Sequence, residues 1–325
     1  MKVFNAAARV VMVGILLAIT ATATAQQTYP NKPIRLIIPF PPGGSNNLIA
    51  RLLGQKLTES WAQPVVVDNR PGGNTVIGTE ALVKSQPDGY TVLLAASSHV
   101  TTPLLQPTPY DAIRDFAPIA TIASTELVLT VHPSLPANTL QEFIALAKSK
   151  PGQLNYASAG TGNSTHLAGA FFNILTGARM QHIPYKGSGP ALTDLIGGQI
   201  QLYFVSPGSA LPLIQSGKIR AIAISGEARS RALPQVPTFT EAGLPGFDVK
   251  VWYGLLAPAG TPNAIVDKLS SEIVKIAAMP DVADKLRSQG LEPFYTTPAQ
   301  LAALIKADTA KYAKIIKTAN IKLEN

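Results

Sequence analysis

Residues 33–53, PIRLIIPFPPGGSNNLIARLL, contain the pattern that decides the fold. The apolar run at residues 34–38 is typical of a buried strand, and the glycines that follow Pro41 and Pro42 predict a tight turn. After the turn, apolar residues recur at helical spacing, which predicts a helix with Ser45 as its N-cap. The apolar face of this helix consists of Leu48, Ile49, Leu52, Leu53 and Leu57. Strand, glycine turn and helix in this order predict a βα unit.

Similar units recur along the chain. The pattern predicts further strands at residues 65–67, 91–95, 154–157, 200–205 and 219–224, and helices at residues 75–85 and 189–197. Near the C-terminus, apolar residues from Leu301 to Ile316 share one helical face. The alternation predicts an α/β protein in which each sheet is mostly parallel and flanked by helices.

A mature chain of about 300 residues favours two lobes, because a domain averages roughly 150 residues. The apolar run at residues 119–131 is expected to cross between the lobes, and residues 251–257 are expected to form the return strand. We therefore predict that lobe 1 comprises residues 26–125 and 251–325, and that lobe 2 comprises residues 126–250. A ligand cleft between the lobes follows from this division.

The first 25 residues are typical of a cleaved signal peptide. Lys2 and Arg9 are followed by an apolar stretch at residues 10–19 and by Ala23-Thr24-Ala25, a small-x-small cleavage site. This apolar stretch is too short to span a bilayer, which takes about 20 residues. We expect export of a soluble mature chain, since no later segment is long and apolar enough to span a membrane.

Net charge and cysteine content exclude several classes of function for this chain. Without Lys2 and Arg9, the 27 basic side chains become 25 against 19 acidic ones, a net charge of +6. This mild excess favours small anions and predicts no nucleic-acid partner. The chain has no cysteine, which excludes disulfides, thiol nucleophiles and a lipid-modified N-terminal Cys. Together with the leader, these features predict a periplasmic protein without a lipid anchor.

Gly43, Gly44, Ser45, Asn46 and Asn47 form the first candidate ligand-binding segment. Glycines let the backbone approach a ligand, and a helix N-terminus presents unpaired N–H groups to an anion. Ordinary βα turns that bind nothing share this pattern, so a purely structural role stays open.

Ser158, Thr161, Gly162, Asn163 and Ser164 form the second candidate segment, again between a predicted strand and a helix. The segment has no Lys or Arg, which suits neutral donors that hold a buried anion without a buried charge. It matches neither the P-loop nor the full dinucleotide fingerprint, so we predict no phosphate transfer and no cofactor. Three further candidates lie in other loops: Ser97, Tyr185 and Ser206.

A Ser/His hydrolase is the alternative from another class, with Ser164 beside His166 or Ser98 beside His99. No Gly-x-Ser-x-Gly elbow is present to support it.

The four histidines are scattered and form no His-Glu-x-x-His motif, so we expect no metal site. Tyr253 could line the cleft or fill the core, and we favour the core.

Six motifs, in order, resemble the Bug family of periplasmic solute-binding proteins of tripartite tricarboxylate transporters. They are PFPPGGS at 39–45, VDNRPGGN at 67–74, QPDGYT at 86–91, YASAGTG at 156–162, HIPYKG at 182–187 and WYGLLAPAGTP at 252–262. The resemblance implies a two-lobed type II periplasmic binding protein, or Venus flytrap. A small carboxylate would be held between the loop after the first strand and residues 158–165, with bridging waters.

The resemblance also implies that the closed form docks on a membrane permease made of a small and a large subunit. A membrane signalling partner is the alternative, which would make the protein a ligand sensor. We expect the protein itself to be a monomer.

Asn46 and Asn47 depart from the Thr-Asp pair that the family usually has. Our hypothesis is that loss of the acid removes an attraction for an ammonium group and favours a purely anionic or amide-bearing ligand. Val205 also stands where relatives often carry Asp or Gly, so the ligand can differ from theirs.

Overall fold

The first βα unit forms as predicted, with one correction at its turn. In the computed structural model, which describes residues 29–42 and 44–322, strand β1 is Ile34–Ile38 and helix α1 is Gly44–Trp61. Because α1 begins at Gly44, Ser45 lies inside its first turn, and the prediction of Ser45 as N-cap is wrong. The predicted signal peptide at residues 1–25 lies outside the described residues.

Strands and helices alternate over the rest of the chain. The other strands are β2 Val65–Asn69, β3 Thr91–Ala96, β4 Phe116–Glu126, β5 Val128–Val131, β6 Asn155–Ser158, β7 Gln181–Pro184, β8 Leu202–Val205, β9 Arg220–Ile224, β10 Lys250–Pro258 and β11 Glu292–Pro293. The other helices are α2 Val76–Val83, α3 Ser98–Leu105, α4 Leu140–Ser149, α5 Ser164–Thr176, α6 Ser188–Ile196, α7 Pro207–Gln215, α8 Asn263–Ala277, α9 Pro280–Arg287 and α10 Pro298–Thr318.

The first sheet has six strands in the order β11-β4-β10-β3-β1-β2. β1 pairs in parallel with β2 and β3, whereas β10 pairs antiparallel with both β3 and β4. Strands β1 to β4 therefore run in one direction, and β10 and β11 oppose them. This is the mostly parallel sheet expected of consecutive βα units, with the return strand inserted between β3 and β4.

The second sheet has five strands in the order β7-β6-β8-β5-β9. β6 pairs in parallel with β7 and β8, and β5 pairs antiparallel with β8 and β9. Each sheet has its own buried apolar cluster, one around β1 and β3 and one around β5 and β8. Two separately cored sheets flanked by helices agree with the predicted α/β class.

The chain passes between the sheets twice. The apolar run at residues 119–131 divides at Leu127 into β4 of the first sheet and β5 of the second. The return from β9 to β10 uses residues 225–249. Ser225 joins the two passages, because its hydroxyl accepts from Leu127 N at 2.8 Å and donates to Val249 O at 2.6 Å. The lobe boundaries at residues 125/126 and 250/251 stay a prediction.

The C-terminal helix α10 contacts elements of both sheets. It packs on β4 and α3 and also on α5, which follows β6. Its residues Tyr312 and Ile316 share one buried apolar cluster with Leu167 and Ala170 of α5. Within residues 29–42 and 44–322, no helix combines the length and apolar character needed to cross a membrane.

Candidate ligand-binding cleft

A cleft of about 340 Å³ opens where loops of the two sheets meet. The size lies in the range of roughly 300 to 1,000 Å³ that small-molecule sites occupy. The segments after β1 and β3 contribute from the first sheet, and those after β6 and β8 from the second. Seven residues predicted from the sequence line it: Asn46, Ser97, Thr161, Gly162, Asn163, Ser164 and Ser206.

The start of α1 forms part of the first wall. Asn46 is buried there, and its Oδ1 has no hydrogen-bond partner among the described residues. Tyr253 on β10 lies beside it, and burial raises the pKa of Tyr253 despite an opposing hydrogen bond from the Ser45 hydroxyl. Gly44 begins the helix, and Gly43 lies outside the described residues. The wall therefore offers amide, hydroxyl and helix-terminal N–H groups.

Asn47 does not line the cleft. Its Nδ2 donates to Asn69 Oδ1 at 3.2 Å, and its Oδ1 accepts from Arg51 Nε at 2.9 Å. The side chain thus supports the turn after β2 instead of facing a ligand. Asn47 therefore makes no direct contact with the cleft through which it could act on an ammonium group of a ligand, as the hypothesis requires.

The loop between β6 and α5 forms the second wall. Gly160 has a φ of 139° and Gly162 a φ of 77°, conformations that L side chains rarely adopt. Asn163 caps α5 by accepting from Thr165 N at 3.0 Å, and Thr165 Oγ1 accepts from Ala159 N at 2.9 Å. These bonds hold the loop open toward the cleft at a helix N-terminus.

Ser45, Ser158 and Tyr185, like Asn47, are predicted residues that lie outside the described lining. Ser158 is fully buried beneath the loop, with its Oγ 2.6 Å from His182 Nε2. Tyr185 donates to Asp194 Oδ2 at 2.7 Å, and burial together with this carboxylate raises its pKa to about 12. Ser158 positions the loop, and Tyr185 joins the segment before α6 to the last turn of that helix.

Several lining residues were missed from the sequence. Tyr312 comes from α10 and is fully buried, and its hydroxyl has no hydrogen-bond partner within the described part of the chain. Tyr253 lines the cleft while also packing in the core, so both of its considered roles apply. The strand-end position of Thr125 could have been recognised, but nothing in the local pattern points to Tyr312. The other missed residues with polar side chains are Asn74, Thr101 and Ser188. Ser98, considered above as a nucleophile, and Thr165, the last residue of the loop that the resemblance implies, also line the cleft.

The described lining contains no Lys, Arg, Asp, Glu or His side chain. A bound anion would therefore be stabilised by hydrogen bonds from hydroxyl, amide and backbone N–H donors, each cheaper to bury than an ion. No cluster of three or more potential metal ligands occurs within residues 29–42 and 44–322. The arrangement suits reversible binding of a small polar solute.

Neither suspected Ser–His pair is formed. His166 Nδ1 accepts from Gly162 N at 3.1 Å, while the Ser164 hydroxyl donates to Asn163 Oδ1 at 3.2 Å. His99 bonds to Ala112 O at 2.8 Å instead of Ser98. Neither pair therefore has the serine–histidine hydrogen bond that the hydrolase alternative requires.

Comparison with known proteins agrees with this geometry. The family model described as the tripartite tricarboxylate transporter family receptor matches residues 49–321. The chain belongs to this family. The protein BugT of Bordetella pertussis is 38% identical over 318 residues, covering 96% of this chain and 98% of BugT. The predicted family resemblance is confirmed.

Solved structures of this receptor family show the same fold. The periplasmic binding protein BugD is 32% identical with a TM-score of 0.74, covering 91% of this chain and 100% of BugD. Rpa4515 of R. palustris with adipate is 32% identical with a TM-score of 0.77 at the same coverages. MatC of Rhodopseudomonas palustris with bound malate is 29% identical with a TM-score of 0.73, covering 89% and 100%.

These likenesses confirm the two-lobed periplasmic binding protein fold. The family and its structural neighbours are solute-binding proteins, and this chain is a binding protein and not an enzyme. Its family comprises receptors of tripartite transporters, and two of its structural neighbours hold adipate and malate.

Proposed function

We propose that this protein captures a small organic carboxylate, or a related amide, in the periplasm and delivers it to a tripartite tricarboxylate transporter permease. The observation that carries the proposal is a cleft of about 340 Å³ lined by uncharged donors at the starts of α1 and α5. Adipate and malate in the neighbours are acids of the matching chemical class.

The expected mechanism is closure of the two lobes over the ligand. Each helix N-terminus stabilises a carboxylate by about 0.3 to 1 kcal/mol, and up to about 2 when partly buried, so several hydroxyl and N–H bonds must act together. Ligand binding then shifts the population from open to closed. The closed monomer is the form that the permease would recognise.

The first experiment is thermal denaturation of residues 26–325 against mono-, di- and tricarboxylates, aromatic acids, amino acids and their amides. The chain is first unfolded and refolded to remove any captured ligand. A ligand at a hundred times its Kd adds about 2.7 kcal/mol of stability, which shifts the midpoint by several degrees. A panel that leaves the midpoint unchanged throughout would contradict the carboxylate proposal.

Replacing Ser164 by Ala tests the proposed site. If its hydroxyl donates to the bound acid, calorimetry should show a loss of about 1 to 3 kcal/mol in binding free energy. Ser149→Ala is the control, since Ser149 is exposed, bonds only to Leu146 O in α4 and does not line the cleft. An unchanged Kd for Ser164→Ala would remove Ser164 from the site.

A further inference from the structure

Two histidines are stacked directly beneath the cleft loop. The rings of His166 in α5 and His182 on β7 lie 3.6 Å apart at an angle of 4°. Their other side borders a separate cavity of about 380 Å³, which also contacts Tyr156, Arg179 and the end of α10. The pair thus lies between the ligand cleft and a second, outward-facing space.

Each ring holds a different part of the loop. His166 Nδ1 accepts from Gly162 N at 3.1 Å, and His182 Nε2 lies 2.6 Å from Ser158 Oγ. Ser158 Oγ in turn accepts from Gly160 N at 3.1 Å. Both glycines line the cleft in left-handed conformations, so these bonds fix peptide groups that form the cleft wall.

The bond from Gly162 N requires a neutral His166 ring. A nitrogen that accepts a backbone hydrogen bond carries no proton, so His166 must be the tautomer with its proton on Nε2. Burial and the neighbouring His182 lower the pKa of His166 to about 3, and burial lowers the pKa of His182 to about 4. Tyr156 on β6 and Arg179 before β7 are the other titratable groups in the described cavity lining, and neither supplies a negative charge that would favour imidazolium.

We propose that the stacked His166 and His182 are positioning residues that hold residues 158–162 in the conformation that accepts the ligand. The pair touches the loop and not the cleft, so it acts through the loop. The effect on affinity rests on the proposed function, whereas the ring chemistry can be measured without any ligand.

Substitutions of His166 separate hydrogen bonding from packing. Glutamine has a side-chain oxygen that can accept from the Gly162 N–H, whereas leucine has no acceptor. With adipate and malate as probes in calorimetry, we expect His166→Leu to weaken binding by about tenfold and His166→Gln by less than about threefold. His132→Leu is the control, because His132 is half-buried and bonds to Ser134 far from the loop.

Nitrogen-15 NMR of the histidine rings of the unliganded wild type provides the ligand-independent test. We expect His166 to carry its proton on Nε2, both rings to stay neutral at pH 5, and the Gly162 amide to exchange slowly. In His166→Leu, exchange of the Gly162 amide should accelerate by at least about tenfold, whereas His166→Gln should keep it slow.

The outcomes are distinct. A proton on His166 Nδ1, or a Gly162 amide that exchanges equally in wild type and His166→Leu, would overturn the proposal. So would equal affinities of His166→Leu and wild type for an acid that binds. If no acid in the panel binds the wild type while the NMR results hold, the proposed function fails and the positioning of the loop stands.

Discussion

At the scale of single residues, Ser225 has the clearest structural role. Its hydroxyl is fully buried and joins Leu127 of one crossing segment to Val249 of the other. Both partners are backbone groups that must be paired when buried, because an unsatisfied buried group costs about 1 to 3 kcal/mol. One side chain therefore holds the two passages between the sheets together.

Replacing Ser225 by Ala should lower the free energy of unfolding by about 2 to 4 kcal/mol, because two buried backbone groups lose their partner. Urea denaturation of the variant and the wild type measures this difference. Ser216→Ala is a matched control, since its exposed hydroxyl bonds only within the end of α7. If both variants unfold at the same urea concentration, Ser225 does not have this role.

At the scale of elements, α10 shows how a surface helix also builds the site. Thr297 and Gln300 form a capping box at its start, with Thr297 Oγ1 accepting from Gln300 N at 3.2 Å. One face of α10 supplies side chains to the buried core, and the same face supplies Tyr312, which lines the cleft. In the same helix, Asp308 accepts from Trp252 Nε1 at 2.9 Å, which fastens it to β10.

Thr297→Ala should destabilise the protein by about 1 kcal/mol, because it removes the N-cap acceptor of α10. Thr297→Ser keeps a hydroxyl and should stay within about 0.5 kcal/mol of the wild type. Thermal denaturation of the three proteins is the measurement. Equal midpoints for the Ala and Ser variants would show that the cap contributes nothing to stability.

At the scale of the whole molecule, the two halves touch at a pair of glycines. A Cβ at Gly208 in α7 would lie 2.4 Å from Gln289 O, and one at Gly290 would lie 2.2 Å from Gly208 N. Gly290 also accepts a hydrogen bond from Thr125 of the cleft at 3.0 Å. Only residues without a side chain allow the start of α7 to approach the segment before β11 this closely.

Gly208→Ala should lower the free energy of unfolding by about 1 to 3 kcal/mol, because the new methyl group meets backbone that cannot move aside without a shift of the halves. Gly189→Ala is the matched control: it also occupies the second position of a helix, and its Cβ would have nothing within 4 Å. The control should be neutral or more stable by about 0.5 to 1 kcal/mol. A Gly208→Ala protein as stable as the control would contradict the close contact.

Acid should destabilise the protein as a whole. Burial lowers the pKa of His99 to about 4, and the pKa values of His166 and His182 are lowered to about 3 and about 4. Unfolded histidines titrate near 6.5, so the unfolded state binds more protons as the pH falls below about 6.5, and stability falls with it. The stability that the three neutral rings contribute is complete above about pH 6.5 and is lost as the pH falls toward 4.

Urea unfolding between pH 7 and pH 5 should show a loss of up to about 2 kcal/mol for each of the three rings. His99→Phe should show a smaller decline over the same interval, because one site of proton uptake is gone. A decline of equal size in this variant and the wild type would assign the pH dependence to other groups.

The local pattern of the sequence determined the βα units, the order of the elements, the return strand and most of the two cleft loops. Strand and helix periodicities are local properties, and glycine turns before helices mark where N–H groups are free. The six motifs, in their order along the chain, were sufficient to recognise the family, and the match to the family model confirms this recognition. Seven predicted residues meet in one cleft because they follow strand ends that face each other.

Only the tertiary structure decided which side chains at those loops face the cleft. Asn46 lines it while Asn47 turns to Arg51, Ser158 pairs with His182 beneath the loop, and Tyr312 arrives from α10. The contact of Gly208 with Gly290 was equally invisible in the sequence. These features join residues far apart in the chain, and such contacts are set by packing of whole elements, which no local periodicity encodes.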